Sequence, residues 1–390
     1  MRPPPPRMES LKSRFRATIL PYHAWKHFRT VLLRRTHPYG IVPDRPQRVI
    51  VEPTNACNLK CSYCGNKDML RPWTYLKWEL YEKLIGEMQA LGVPRLTLHT
   101  IGEPTLHPQL PKMVALAKSA GFTVTLSTNG TLLTDERARA LVEAGPDILS
   151  VSVDLADPEA LKLVRPGIDP AEMLAGLGRL RRFRDESGPQ SDSPWGVVRL
   201  PSLVATCVVT RYWNREEERR WFALYGPLID DVFIHWPNSH AGYSKAEPHR
   251  RRSWLPARLK DWIYRRARYS CSYPWDALFL LSDGTMSVCR FDFDARVKIG
   301  RYPEQNLLEL WHGQKMMSLR KAHMDFDFRD WSTCDDCNAT WYENRHDHFR
   351  YTQQVKRRNA FVARRDMWLA PEPMAERRRK GVGTTASYAG

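Results

Sequence analysis

The chain has 390 residues, 42 % hydrophobic and 26 % charged, with 14 Trp, 15 Tyr and 13 Phe. That is enough to bury a sizeable core and excludes a minimal peptide module, whole-chain disorder or a fibrous repeat. The net charge of +17 sits at the ends: residues 1–40 carry nine Lys/Arg against one Glu, and residues 350–390 carry ten against three acidic groups. The body is nearly neutral and not built to track phosphates, so no specific nucleic-acid partner is expected.

Residues 1–45 form a basic N-terminal extension. Within it Trp25, Phe28 and Leu32, interleaved with cations, predict an amphipathic helix that would pack over the fold or lie on an anionic membrane surface. No apolar run approaches the ~20 residues that span a bilayer, and no signal peptide is evident, so a cytoplasmic, at most membrane-peripheral, protein is expected.

Six short β-rich segments follow: Arg48–Pro53, Arg95–His99, Phe122–Ser127, Ile148–Asp154, Leu203–Val209 and Val232–Trp236. Amphipathic runs separate the early ones, at Trp78–Leu91, Pro108–Ala120 and Thr134–Ala144, the last with Thr134 or Asp135 as its cap. This alternation predicts parallel strands with right-handed crossovers. Six units fall short of the eight that close a full barrel, so the expected fold is α/β, a partial (β/α)6 TIM-like barrel over residues 46–240. Arg184–Gly196, rich in Asp, Ser, Gly and Pro, reads as an excursion loop.

Residues 241–270 make a basic connector containing Arg250, Arg251, Arg252, Arg265, Arg266 and Arg268, which could grip a phosphorylated substrate or simply be solvated. Residues 271–349 read as a small C-terminal α+β cluster-binding domain. It opens with a hairpin turned at Asp283-Gly284 and continues with a helix over Leu307–His323. Residues 350–390 form a basic tail.

Eight cysteines are too few for a disulfide scaffold, and clustered thiols in a reducing compartment point to metal ligation. Cys57, Cys61 and Cys64 lie within eight residues just after the first strand. Three thiolates can hold a cubane cluster with one iron left open, or form a zinc knuckle. Cys271, Cys289, Cys334 and Cys337 can close a site completely, as zinc or as a fully ligated cluster. Cys207, in an apolar strand, reads as a core thiol. His235, Asn238 and His240 stand near the cavity mouth as substrate-contact candidates.

The Cys57-x3-Cys61-x2-Cys64 loop, with Tyr63 before its last cysteine, resembles the signature of the radical S-adenosylmethionine (SAM) superfamily. That resemblance implies a 4Fe–4S cluster whose open iron binds SAM. Ile101-Gly102-Glu103-Pro104 resembles the family's Gly-Gly-Glu-Pro motif, with Ile101 replacing the first glycine. Ser127, Asn129, Ser152, Asp154 and Arg165 match positions where the family places SAM contacts, Arg165 towards the SAM carboxylate. Taken singly, Ser127 and Asn129 could make a turn and Asp154 could cap a helix. Cys271-x12-Gly284-x4-Cys289 resembles the SPASM and shorter twitch extensions of the superfamily, which implies one auxiliary 4Fe–4S cluster and two clusters in total.

The resemblance also implies a flavodoxin- or ferredoxin-type electron donor. The expected activity is a radical SAM oxidoreductase of dehydrogenase type, or an epimerase, acting on a small or carrier-linked sugar or aminocyclitol. The alternatives are maturation of a ribosomal peptide, or a non-catalytic zinc protein that binds nucleic acid. No general base can be named from the sequence.

Overall fold

The computed structural model describes residues 42–187, 190–193, 196–235, 270–335 and 337. The basic N-terminal segment, the connector arginines, Asn238, His240 and the C-terminal tail lie outside them, and for His235 only the backbone is described.

All six expected strands form: β1 (Arg48–Val51), β2 (Arg95–Leu98), β3 (Thr123–Thr128), β4 (Ile148–Ser152), β7 (Ser202–Val208) and β8 (Asp231–His235), each pairing in parallel with the next in that order. Helices α1 (Trp78–Ala90), α2 (Leu110–Ser119), α3 (Asp135–Glu143), α4 (Pro158–Val164), α5 (Pro170–Ser187) and α6 (Arg215–Tyr225) connect them. In α1 the residues Tyr81, Leu84, Ile85 and Met88 are buried, the spacing of a single helical stripe. Thr134 caps α3 by accepting from the Arg137 amide.

The strands show a period of two. Leu96 and Leu98 of β2, Val124 and Leu126 of β3, and Leu149 and Val151 of β4 join the helix-side core. The alternate positions face the barrel interior; Thr97, Thr125, Ser127, Ser150, Ser152 and Thr206 carry hydroxyls there, while Ile50, Ile148 and Val204 are apolar. Register sets Thr97 beside Thr125, Ser127 beside Ser150, and Ser152 beside Thr206.

Three features depart from expectation. The stretch from Arg184 begins as helix, because α5 runs to Ser187 with Leu180, Phe183 and Arg184 buried and Arg184 paired to Asp230. It continues as a hairpin of β5 (Gln190–Ser193) and β6 (Gly196–Arg199). The helix expected over Leu307–His323 is two, α8 (Leu307–His312) and α9 (Gln314–Asp325). Gly313 between them is extended (ψ 153°), and α8 has its own capping box from Asn306 and Glu309.

The C-terminal hairpin, β9 (Ala277–Leu280) and β10 (Thr285–Ser287), turns at Asp283-Gly284 as expected, with Gly284 at φ +87°. It does not stand apart, however. β9 pairs in parallel with β1, and β11 (Lys298–Arg301) pairs with β10, giving one open nine-stranded sheet ordered β11-β10-β9-β1-β2-β3-β4-β7-β8. Among the described residues no helix is long and apolar enough to cross a membrane.

Candidate active site at the carboxyl ends of the strands

The three-cysteine loop leaves the carboxyl end of β1, and its backbone is tied down from several sides. Lys60 donates to the Pro166 carbonyl (3.2 Å), Ser62 to Val164 (2.8 Å) and Glu103 to Ala56 (2.8 Å). A Cβ on Gly102 would lie 2.1 Å from the Thr54 carbonyl oxygen, so only glycine permits this approach. Position 101 needs no such freedom, since Ile101 is not among the residues with positive φ. The departure from the double-glycine motif is therefore accommodated.

The three thiols are half-buried and close enough for charge on one to raise the pKa of its neighbours. Burial, the larger cause, pushes Cys57 and Cys64 up to about 12 and Cys61 up as well. Amides already point at two sulfurs, Leu59 N–H to Cys57 Sγ and Asn66 N–H to Cys64 Sγ, each at 3.5 Å. Such thiols are protonated at neutral pH, so any metal they ligate must displace their protons.

The strand-end residues divide into bracing groups and groups facing the interior. Glu103, 2 % exposed, accepts from Thr105 N (3.0 Å), Thr105 Oγ1 (2.6 Å), Thr128 Oγ1 (2.7 Å) and Asn129 N (2.6 Å), so it ties the end of β2 to the end of β3. Asn129 donates to Asn58 Oδ1 (2.8 Å), which fastens β3 to the cysteine loop. Its side-chain oxygen Oδ1 accepts from Thr131 N (3.0 Å), so the turn reading of Asn129 also holds.

Asp154, fully buried, accepts from Tyr63 Oη (2.7 Å), Arg165 Nε (2.7 Å) and Val208 N (2.8 Å), while Arg165 Nη2 donates to Tyr63 Oη (2.8 Å). The arginine expected to meet a carboxylate thus holds one supplied by the chain. Asp157, not Asp154, caps α4. Trp221 and Tyr225 of α6 donate to the Val153 and Leu155 carbonyls (3.0 Å each) and fix the segment that carries Asp154. Ser152 shares a hydrogen bond with Thr206 (3.1 Å), and Ser127 lies beside Ser150 on the interior face. Cys207 is a core thiol as expected, fully buried against the Asp154 carbonyl.

The four later cysteines come together although they are far apart in sequence. Cys271 precedes α7 (Tyr273–Asp276), Cys289 follows β10, and Cys334 lies in α10 (Ser332–Asp335), three residues before Cys337. Charge on Cys337 would reach both Cys271 and Cys289, and charge on Cys334 would reach Cys289. Burial pushes Cys271 up to about 12 and Cys289 well above the usual thiol range. Among the described residues no three His, Cys, Asp or Glu side chains close on a single metal ion.

Several residues of the site were not singled out by the sequence. Glu52, 1 % exposed at the end of β1, accepts from Arg71 (2.9 and 3.0 Å), Thr100 (2.8 Å) and both Ser282 donors (3.1 and 2.9 Å). Asp294 accepts from the Leu70 and Arg71 amides. The segment after the first cysteine set is thereby bound to the C-terminal hairpin. An acidic residue ending an otherwise apolar strand was the one available signal for Glu52.

Residues 51–186 match the family model described as the radical SAM superfamily, and residues 271–338 match the iron–sulfur cluster-binding domain named SPASM. A tungsten-containing aldehyde ferredoxin oxidoreductase cofactor-modifying protein from Pyrococcus furiosus is 34 % identical over 167 residues, covering 41 % of this chain and 43 % of that protein. A PqqA peptide cyclase from Streptomyces rochei is 35 % identical over 116 residues, 30 % of this chain and 32 % of that one. Each match therefore spans less than half of the curated relative.

Among solved structures, Streptococcus suis SuiB bound to precursor peptide SuiA aligns with a TM-score of 0.57 at 15 % identity, covering 81 % of this chain and 73 % of SuiB. Native anSMEcpe with bound AdoMet aligns with a TM-score of 0.52 at 14 % identity, covering 80 % and 97 %. At these identities the likeness is one of fold.

Proposed function

Since the chain belongs to the radical SAM superfamily and carries a SPASM cluster-binding domain, we propose that it removes a hydrogen atom from a small or carrier-linked polar substrate, sugar- or aminocyclitol-like, held in the barrel interior. The observation that supports this substrate class is the hydroxyl-bearing interior face: Thr97, Thr125, Ser127, Ser150, Ser152 and Thr206 offer donors and acceptors where an apolar substrate would want none. The Ser150 hydroxyl is enclosed with no hydrogen-bond partner among the described residues.

Cys57, Cys61 and Cys64 would hold the SAM-binding 4Fe–4S cluster, and Cys271, Cys289, Cys334 and Cys337 the auxiliary one. When bound, the first cluster and SAM supply one electron and a 5'-deoxyadenosyl radical. The chain's own work is positioning. Glu103 and Asn129 set the ends of β2 and β3 against the cysteine loop, and the Tyr63–Asp154–Arg165 group sets the end of β4 against it. Four thiolates leave the auxiliary site no open ligand position, which suits an electron acceptor and a net oxidation, with epimerisation as the redox-neutral variant. The electron donor would be an acidic flavodoxin or ferredoxin drawn to basic surface.

A second reading, modification of a ribosomal peptide, is favoured by the local likeness to a PqqA peptide cyclase. The non-catalytic zinc alternative is set aside by the two family matches.

The test is anaerobic reconstitution followed by reductant and SAM. The expected result is about eight irons per chain, falling to about four in a Cys57→Ala, Cys61→Ala, Cys64→Ala variant that forms no 5'-deoxyadenosine. Stimulation of 5'-deoxyadenosine by aminocyclitols or nucleotide sugars supports the leading reading, and stimulation by peptides alone the second. A wild-type protein that holds iron yet makes no 5'-deoxyadenosine overturns both.

A further inference from the structure

The chain between the first cysteine set and α1 holds three large apolar side chains in water: Leu70 is 87 % exposed, Trp73 65 % and Tyr75 48 %. From Trp73 to Lys77 the exposure alternates. Trp73, Tyr75 and Lys77 stand outward while Thr74 and Leu76 turn inward, so the three outward residues share one face of an extended segment.

This segment is fastened along its length. Thr74 N donates to Asn55 Oδ1 (2.8 Å), Thr54 Oγ1 to the Thr74 carbonyl (2.7 Å) and Leu76 N to the Pro53 carbonyl (2.8 Å), while the Tyr75 ring meets His107 edge-on at 5.8 Å. A framework held this firmly keeps an apolar face in water, which is unfavourable until something covers it. Trp and Tyr are the side chains that most often anchor such a contact.

Position and charge identify what covers it. Asn55 lies two residues before Cys57, and its carbonyl accepts from Asn66 Nδ2 (2.8 Å), while the Asn66 N–H points at Cys64 Sγ (3.5 Å). Asn55 and Asn66 are buried, so three hydrogen bonds through dry interior join the Cys64 sulfur to the residue beside Trp73. Residues 57–78 carry Lys60, Lys67, Arg71 and Lys77 against Asp68, with Glu79 just beyond, in a body that is otherwise nearly neutral. Lys67 takes Asp68 (2.6 Å) and Arg71 takes Glu52 (2.9 Å). Lys60 and Lys77 are left exposed with no carboxylate partner among the described residues, and exposed Lys112 stands 4.0 Å from the centroid of the Trp78 ring, next to Lys77.

We propose that the Trp73–Tyr75–Lys77 face is the docking surface for an acidic one-electron carrier protein, which reduces the cluster of the first cysteine set. The assignment rests on the reading of the chain as a radical SAM enzyme. The transfer moves one electron and no atoms: the carrier's flavin or iron–sulfur centre is oxidised by one electron as the cluster is reduced by one. Lys77 and the neighbouring ammonium groups steer the carrier in, and Trp73 and Tyr75 dry the contact.

In the test, full-length, cluster-loaded protein is titrated in a calorimeter with an acidic flavodoxin and an acidic ferredoxin in turn, both oxidised. Cluster reduction is then followed by absorbance, driven either by the reduced carrier that binds or by dithionite, which needs no docking surface. Trp73→Ser and Tyr75→Ser together weaken carrier binding about tenfold or more and slow carrier-driven reduction to match, while dithionite-driven reduction stays at the wild-type rate. Lys77→Glu weakens binding at low salt and less so at high salt. Met317→Ser with Met324→Ser, at two exposed apolar positions of α9, has no effect. Failure of both carriers to bind the wild type, unchanged binding in the Trp73 and Tyr75 variant, or an equal loss with dithionite overturns the assignment. A wild-type dimer that the variant dissociates, or a crosslink that sets residues 1–41 over Tyr75 in the free monomer, overturns it as well. Dithionite-driven 5'-deoxyadenosine formation by the wild type is scored separately, so failure of the radical reading is distinguishable from failure of the docking surface.

Discussion

Replacing Asp154 by Asn tests whether the Tyr63–Asp154–Arg165 group is what locks the cysteine loop to β4. Asp154 Oδ2 accepts from Tyr63 and Arg165, and Oδ1 accepts from the Val208 amide, so all its partners are donors. An asparagine can turn its oxygen to only one side. In either orientation Arg165, 3 % exposed, loses its carboxylate, and either the Val208 N–H or the Tyr63 and Arg165 donors face an NH2 group. Breaking a buried pair from one side costs about 3–5 kcal/mol, because an uncompensated charge is left in the interior. With an m-value of about 3 kcal/mol/M, the urea midpoint of the metal-free protein falls by about 1–1.7 M. Arg165→Met alone is similarly costly, but the double variant Asp154→Asn, Arg165→Met recovers about 2 kcal/mol or more of the summed loss, since no charge is then stranded. A midpoint shift below about 0.3 M for Asp154→Asn, or strict additivity in the double variant, would refute the reasoning.

Gly102→Ala forces a methyl to within 2.1 Å of the Thr54 carbonyl, so iron retained at the first site falls by about half or more, whereas Ile101→Gly leaves iron content within error. Because burial raises Cys57 and Cys64 to about 12, the metal-free fold is indifferent to these thiols below their unfolded pKa of about 9 and loses stability as pH climbs from there towards 12. Thermal melts across that range check it. Iron loading at neutral pH must release their protons, seen as a dependence of the reconstitution heat on buffer ionisation enthalpy. Glu52→Gln weakens the bond between the Arg71 segment and Ser282 by about 3 kcal/mol and speeds amide exchange in residues 69–75 and 281–287 together, while exchange in α3 stays unchanged.

What could be read from the sequence follows the range of the interactions involved. Thr134 caps α3 as its position predicts, because capping is decided within one helical turn. Gly313 was passed over inside the Leu307–His323 pattern, because apolar spacing survives a break whose cause is backbone conformation. Arg165 could be placed by its motif, but its partner could not. Asp154 lies 11 residues away and Tyr63 102, and only folding sets them within 2.8 Å of one another.

By itself the sequence determined the parallel strand and helix alternation, the two thiol sets and the family, since periodicity and ligand spacing are written in neighbouring residues. The tertiary structure decided what the strand ends do. It turned Glu103, Asn129 and Asp154 into braces for the cysteine loop and carried the hairpin that leads to Cys289 onto β1. Those outcomes depend on strand register and on contacts between residues 26 to 91 positions apart, or further for the β1–β9 pairing, which a one-residue slip would reverse and no local pattern encodes.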